Sequence, residues 1–315
     1  MERSDYSSET VRVPEHYFRP DCPELGDVVE FHYGTRYYAG DGRPLLKPCY
    51  VYTPYGYDPE DATTRYPVLY FMHGFLCNAN STFEGDDGAI GNIFDWLIYE
   101  KKVRPFIAVA VTWDYENSIR DFSTSLDQIM QFHQEFRRDL VPAVEAAFRT
   151  FAETTDPKGL RASREHRAFA GYSMGAVTTW QIFLLCGDLC KWYAPLACDS
   201  WALGQFGGAQ KPVETAEMLA SATTVFHLSP EDYVLYCGAG DQDPTLLQQI
   251  PQVFEMWKYV PGETDSPQPF NKENLSLHIV PGGEHGVPAC EELLYNAVPA
   301  IFGAKLDETA ASVVR

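Results

Sequence analysis

The sequence predicts an α/β fold with a mostly parallel central sheet flanked by helices and an antiparallel hairpin on its N-terminal side. Three observations carry this. First, short and almost wholly apolar runs recur at 67–74, 105–113, 166–175, 192–200, 232–240 and 275–283. Runs of that length suit strands buried on both faces, as in a parallel sheet. Second, helical patterns lie between them, and alternation of strand and helix implies right-handed crossovers. Third, Val28 to Tyr33 and Cys49 to Thr53 flank a Gly-Asp-Gly turn at 40–42 and read as a hairpin.

The elements follow in order. Residues 1–25 are polar and contain Pro14, Pro20 and Pro23, so they read as a surface segment. The hairpin comes next, then the runs at 67–74 and 105–113. Leu126, Ile129, Met130, His133, Phe136, Leu140, Val144 and Phe148 fall at three- and four-residue steps, the spacing of one helix face. Pro142 interrupts that face and predicts a kink or a second helix starting there. Ala176 to Leu185, Leu246 to Trp257 and Ala289 to Phe302 read as helices. The stretch 200–231 lacks strong periodicity and is the candidate cap. The domain expectation is one catalytic unit over 26–305, followed by a tail at 306–315.

Composition narrows the function. The 315 residues include 45% hydrophobic and 22% charged side chains, ordinary for a globular chain. Lys and Arg total 24 against 44 Asp and Glu, a formal charge of −20. Such a surface repels phosphate backbones and anionic lipid, so nucleic acid and membrane are not expected partners. No run approaches the roughly 18 apolar residues of a membrane span. The opening MERSDYSSET has no apolar signal segment, so the expected location is cytoplasmic, or secreted if a leader has been removed. The eight cysteines form no C-x-x-C and complete no zinc set, and they read as buried thiols of a reducing compartment.

The chemistry centres on Gly171-Tyr172-Ser173-Met174-Gly175. This G-x-S-x-G ends one buried run and opens a helical one, the strand–turn–helix setting of a nucleophile elbow. A serine hydroxyl needs an imidazole to take its proton and a carboxylate to orient that imidazole. The expected chain order is serine, acid, histidine. His278 lies inside the strand run LSLHIV, whereas His285 follows in the loop PGGEHGVP, so His285 is the expected base. Asp241 and Asp243 both stand just past a strand end in YCGAGDQDP. Asp241 is preferred because it directly follows Gly240, with Asp243 the fallback and Asp199 a third choice. Two N–H donors must hold the oxyanion. Met174 is one; Phe75, after His73-Gly74, is the other, with Leu76 next. His73 itself reads as structural. No metal or cofactor is called for.

These residues resemble carbohydrate esterase family 1, the feruloyl and acetylxylan esterases, akin to the esterase D type within the α/β-hydrolase superfamily. The matching strings are CYVYTPYGYDP, YFMHGF, WDYENSIRDF, DLVPAVEAAF, SREHRAFAGYSMGAVTTW, CGAGD and GGEHGVPACEEL, spread over about 45–302. The resemblance implies ester hydrolysis through an acyl-enzyme, with Ser173 as nucleophile, Asp241 as acid, His285 as base, and Met174 and Phe75 as oxyanion donors. Many members carry an aromatic two residues after the histidine; this chain has Gly286-Val287.

A flat phenolic acyl group wants an aromatic, apolar pocket. Trp201, Trp113, Tyr115, Phe75 and Leu76 follow strand ends and are the candidate walls, Trp201 foremost. The expected partner is a small-molecule or oligosaccharide ester, most consistent with a hydroxycinnamoyl sugar. The alternatives are an acetylxylan or other short-chain acetyl esterase, and a non-catalytic carbohydrate-binding domain on the same fold. The oligomeric state is not read from the sequence.

Overall fold

A computed structural model describes residues 7–83, 89–115, 120–262 and 267–303. In it, the strands are β1 (Ser7–Glu9), β2 (Asp27–Arg36), β3 (Pro44–Thr53), β4 (Val68–Met72), β5 (Ile107–Val111), β6 (Arg167–Tyr172), β7 (Trp192–Leu196), β8 (Val234–Gly240) and β9 (Leu275–Val280). They form one sheet in the order β1-β9-β8-β7-β6-β4-β5-β3-β2. β2 and β3 pair antiparallel, β3 runs antiparallel to β5, and every other pairing is parallel. Every residue of β4, β5 and β6 is buried, which explains why these strands read as unbroken apolar runs. From β4 the chain goes to β5 on one side and returns to β6 on the other. That reversal opens a crevice at the carboxyl ends of the strands, where ligands of such sheets bind.

The helices are α1 (Ile90–Tyr99), α2 (Phe122–Glu135), α3 (Val141–Ala147), α4 (Pro157–Ala162), α5 (Met174–Cys186), α6 (Gly207–Gln210), α7 (Pro212–Val225), α8 (Pro244–Lys258) and α9 (Val287–Phe302). Between α2 and α3 the backbone widens into one π turn over Phe136–Leu140, just ahead of Pro142. Proline has no N–H and its ring collides with the carbonyl four residues back, and the wide turn absorbs both. The predicted break at Pro142 therefore takes the form of a π bulge feeding a new helix.

Several elements differ from the sequence expectation, the short helices α4 and α6 among them. Residues 7–9, assigned to a surface segment, form β1, an edge strand parallel to β9. The residues involved, Ser-Ser-Glu, pair through their backbone and carry no apolar signature. Residues 212–225 form α7, which packs against α8 and α5. Its buried side is Thr215, Ala216, Leu219, Ala220, Ala222 and Thr223, mostly small side chains with little hydrophobic contrast. α1, whose buried residues include Ile93, Phe94 and Leu97, is a further element without a sequence expectation. The tail at 306–315 lies outside the described residues. No helix among the described residues is long and apolar enough to cross a membrane.

Two ion pairs are buried in the frame: Lys47 with Glu135 at 2.8 Å, and Arg167 with Glu145. Lys47 also donates to the Thr112 carbonyl at 2.8 Å, and Arg167 donates to the Ser163 hydroxyl at 2.9 Å. With both partners hydrogen-bonded, removing one member would strand the other charge, a loss of about 3–5 kcal/mol. No disulfide joins the eight cysteines; seven are buried and Cys77 is exposed.

Candidate active site

Ser173 sits between β6 and α5 with φ 58° and ψ −117°, a strained conformation for a residue with a side chain. Packing on both flanks forces it. A Cβ on Gly171 would stand 2.2 Å from the Gly175 carbonyl oxygen, and one on Gly175 would stand 2.1 Å from that of Met72. Only glycine fits at either place, and the sharp turn between them lifts the serine above the sheet.

His285 arrives from the loop after β9. Its Nε2 lies 2.9 Å from Ser173 Oγ and its Nδ1 2.7 Å from Asp243 Oδ2. Two contacts hold the imidazole in place: the Gly286 N–H donates to the Tyr172 hydroxyl at 2.9 Å, and the Tyr172 ring packs 5.1 Å from the imidazole.

The carboxylate that meets His285 is that of Asp243 and not of Asp241, a correction to the sequence expectation. The physical reason is local. Asp241 still follows the sheet, its N–H donating to the Val280 carbonyl at 3.1 Å. Its own carboxylate accepts from the Gly282 N–H at 2.8 Å. Asp243, 3% exposed, is instead the N-cap of α8 and accepts from the Thr245 N–H at 2.8 Å. The turn into the helix swings it under His285. Burial pushes its carboxyl up, but hydrogen bonds from His285 and Thr245 outweigh this and hold it below the usual range. Asp199 is fully buried elsewhere, accepting from Trp201 Nε1 at 2.9 Å and the Ala209 N–H at 2.8 Å.

Beside Ser173 runs the Gly74–Phe75 backbone. A Cβ on Gly74 would lie 3.3 Å from Ser173 Cβ. His73, beneath it, donates from Nδ1 to the Gly74 carbonyl at 2.8 Å and accepts from the Thr112 hydroxyl at Nε2, also 2.8 Å. It fixes the loop. Burial holds the His73 imidazole down at about 4, so it stays neutral. The unfolded chain takes up that proton below about pH 6.5 while the native state refuses it. Stability should therefore fall by about 3 kcal/mol as pH drops from 6.5 to 4, then level off. Urea unfolding at pH 7 and pH 4 of the wild type and His73→Gln tests this. The wild type should lose about 3 kcal/mol more than the variant; equal losses would contradict it.

A cleft of about 240 Å³ opens at Ser173. Phe71, Phe75, Ile90, Tyr172 and Val287 supply apolar walls, and Asn78, Ser81 and Thr82 supply polar groups. The other wall expectations are corrected here: Trp201, Trp113, Tyr115 and Leu76 do not line it. Trp113 is buried against the His73 ring at 4.3 Å. Tyr115 packs on Tyr37 and under Lys47. Trp201 is 5% exposed, held by Asp199 and packed on Phe122 and Phe206. Leu76 has φ 68° and is 62% exposed. No residue of 200–231 borders the cleft either, so the candidate cap does not cover it. The apolar wall residues missed are Phe71, Ile90, Tyr172 and Val287, of which Ile90 and Val287 open α1 and α9. Val287 carried a signal, since it stands two residues past His285.

Comparison with known proteins follows the same lines. The family described as "Putative esterase" matches residues 47–182. Endo-1,4-beta-xylanase Y of Acetivibrio thermocellus is 32% identical over 290 residues, 92% of this chain and 24% of that protein. A second relative, "Endo-1,4-beta-xylanase/feruloyl esterase" of Xylanibacter ruminicola, is 33% identical over 136 residues, 42% of this chain and 17% of that protein. The chain thus spans less than a quarter of either relative's length. Among solved structures, the feruloyl esterase module from Clostridium thermocellum, a serine-to-alanine mutant complexed with sinapinate, matches at TM-score 0.79 and 31% identity over 96% of both chains. A match of that identity and extent, on the same mostly parallel sheet, shows that the chain belongs to carbohydrate esterase family 1, carboxylic ester hydrolases of the α/β-hydrolase superfamily.

Proposed function

We propose that this chain is a feruloyl esterase, releasing hydroxycinnamic acids from sugar esters through an acyl-enzyme on Ser173. The observation that carries the reading is the Ser173–His285–Asp243 hydrogen-bond chain, at 2.9 and 2.7 Å, bordering an apolar cleft. Ionised Asp243 accepts from His285 Nδ1–H and leaves Nε2 able to take the Ser173 proton. Oγ then attacks the ester carbonyl carbon. The carbonyl oxygen becomes an oxyanion facing the Phe75 and Met174 N–H groups, each worth about 3–4 kcal/mol to the transition state. As the tetrahedral intermediate collapses, His285 Nε2 hands its proton to the departing alcohol oxygen. Water repeats the sequence on the acyl-enzyme and frees the carboxylic acid and Ser173.

The cleft supports an aromatic acyl group. Its walls match a flat ring, Asn78, Ser81 and Thr82 offer partners to ring hydroxyl and methoxy groups, and an acetyl group would leave most of it wet. The names of the relatives point the same way. The charge of −20 suits neutral acyl sugars over polyanionic polymers. Seven buried thiols without a disulfide suit a reducing compartment.

Turnover of methyl ferulate compared with acetylated xylo-oligosaccharide tests the substrate. Ferulate should be favoured by on the order of 10²-fold in kcat/KM. Strong deacetylation without ferulate release would contradict the reading and select an acetyl esterase.

A further inference from the structure

Among the described residues, His285 borders two neighbouring clefts. One holds Ser173 and the apolar walls described above. The other, about 510 Å³, lacks Ser173 but shares His285 and Gly286 with it. It lies across the first turns of α9, whose Val287 and Cys290 face the first cleft while Pro288, Ala289 and Glu292 face the second. Its outer wall is the N-terminal segment, through Arg12 and Phe18.

We propose that this second cleft is the leaving-group subsite, binding the pentose or hexose rings on the alcohol side of the ester. The proposal rests on the esterase reading above. His285 must deliver a proton to the departing sugar oxygen, so the alcohol has to emerge beside that imidazole. With the acyl group in the apolar cleft, the second cleft is the neighbouring space, among the described residues, that shares the His285 imidazole. Its chemistry fits a polyhydroxylated ring. Arg12 donates only, Glu284 and Glu292 accept, and Phe18, 40% exposed, offers a flat apolar face to sugar C–H groups. Among the described residues, the first cleft is lined by no Asp, Glu, Lys or Arg.

The wall is also held rigidly, which lowers the ordering cost of binding. The Thr10 N–H donates to the Ile279 carbonyl at 2.9 Å, and its hydroxyl to Glu292 at 2.5 Å. Val11 and Asn296 exchange two hydrogen bonds, both 2.8 Å. On the far side of Arg12, Tyr17 is buried and donates to Glu100 at 2.6 Å. Arg12 is thus presented between two anchors, although its own side chain is exposed.

The test compares kcat/KM for a feruloylated pentose oligosaccharide and for methyl ferulate in the wild type, Arg12→Ala and Phe18→Ala. Both residues are at the surface, so both variants should fold. The wild type should prefer the sugar ester. Each variant should lose about 10-fold on it, mainly through KM, and stay within about 2-fold on methyl ferulate. Equal losses on both esters, or no loss on either, would overturn the subsite, as would a wild type indifferent to the sugar. A wild type inactive on both esters would overturn the esterase reading itself, and the subsite with it.

Discussion

Replacing Ser173 by alanine is expected to lower kcat on methyl ferulate by about 10⁶, with folding retained. The residual rate would come from oxyanion stabilisation and binding, which outlive the nucleophile. Alanine keeps the Cβ and with it the strained φ of 58°, so the variant's urea midpoint should stay close to that of the wild type. Labelling by a fluorophosphonate should disappear in parallel. Activity retained in Ser173→Ala would mean that another group is the nucleophile. Absence of labelling in folded wild type would instead favour a non-catalytic binding domain.

The second large effect separates two aspartates two residues apart. Asp243→Asn should cost about 10⁴ in kcat, because an amide can present its N–H to His285 Nδ1 and impose the wrong tautomer. Asp241→Asn should stay within about 3-fold. An asparagine oxygen can still accept from the Gly282 N–H and hold the loop that carries His285. Steady-state kinetics of the two variants decide the matter, and the reverse pattern would assign the acid to Asp241. The acid substitution also has a stability consequence. The Asp243 carboxyl is depressed in the native state, so its ionised form stabilises the fold above the unfolded carboxylate range. That contribution is lost as pH falls through the lower native value.

The contrast between these aspartates shows what the chain disclosed. The elbow was legible because its glycines are a steric necessity at the crossing of β6, α5 and the end of β4. His285 was legible because a Gly-rich loop after a buried strand presents a side chain at the sheet's carboxyl edge. The choice of acid failed because nearness to the strand end says nothing of side-chain direction. Asp241 continues the ladder and Asp243 leaves it as a helix cap. The signal was present in Asp243-Pro244-Thr245, a capping aspartate followed by proline at the first helical position.

Direction also explains the aromatic walls. Trp113 and Trp201 follow strand ends as expected, yet both turn inward to pack on His73 and beside Asp199. Two of the walls that do form the cleft, Ile90 and Val287, come from the first turns of α1 and α9, whose approach to Ser173 is a property of the tertiary packing. The edge strand β1 was invisible for a related reason, since it pairs by backbone groups that every sequence possesses.

The central claim is that an ester's acyl group is transferred to Ser173. Rapid quenching of the wild type during turnover of a feruloyl ester, followed by peptide mass analysis, tests it most directly. The account predicts a feruloyl adduct on the peptide carrying Ser173, absent from Ser173→Ala. Turnover with no adduct, or an adduct on a different residue, would contradict it.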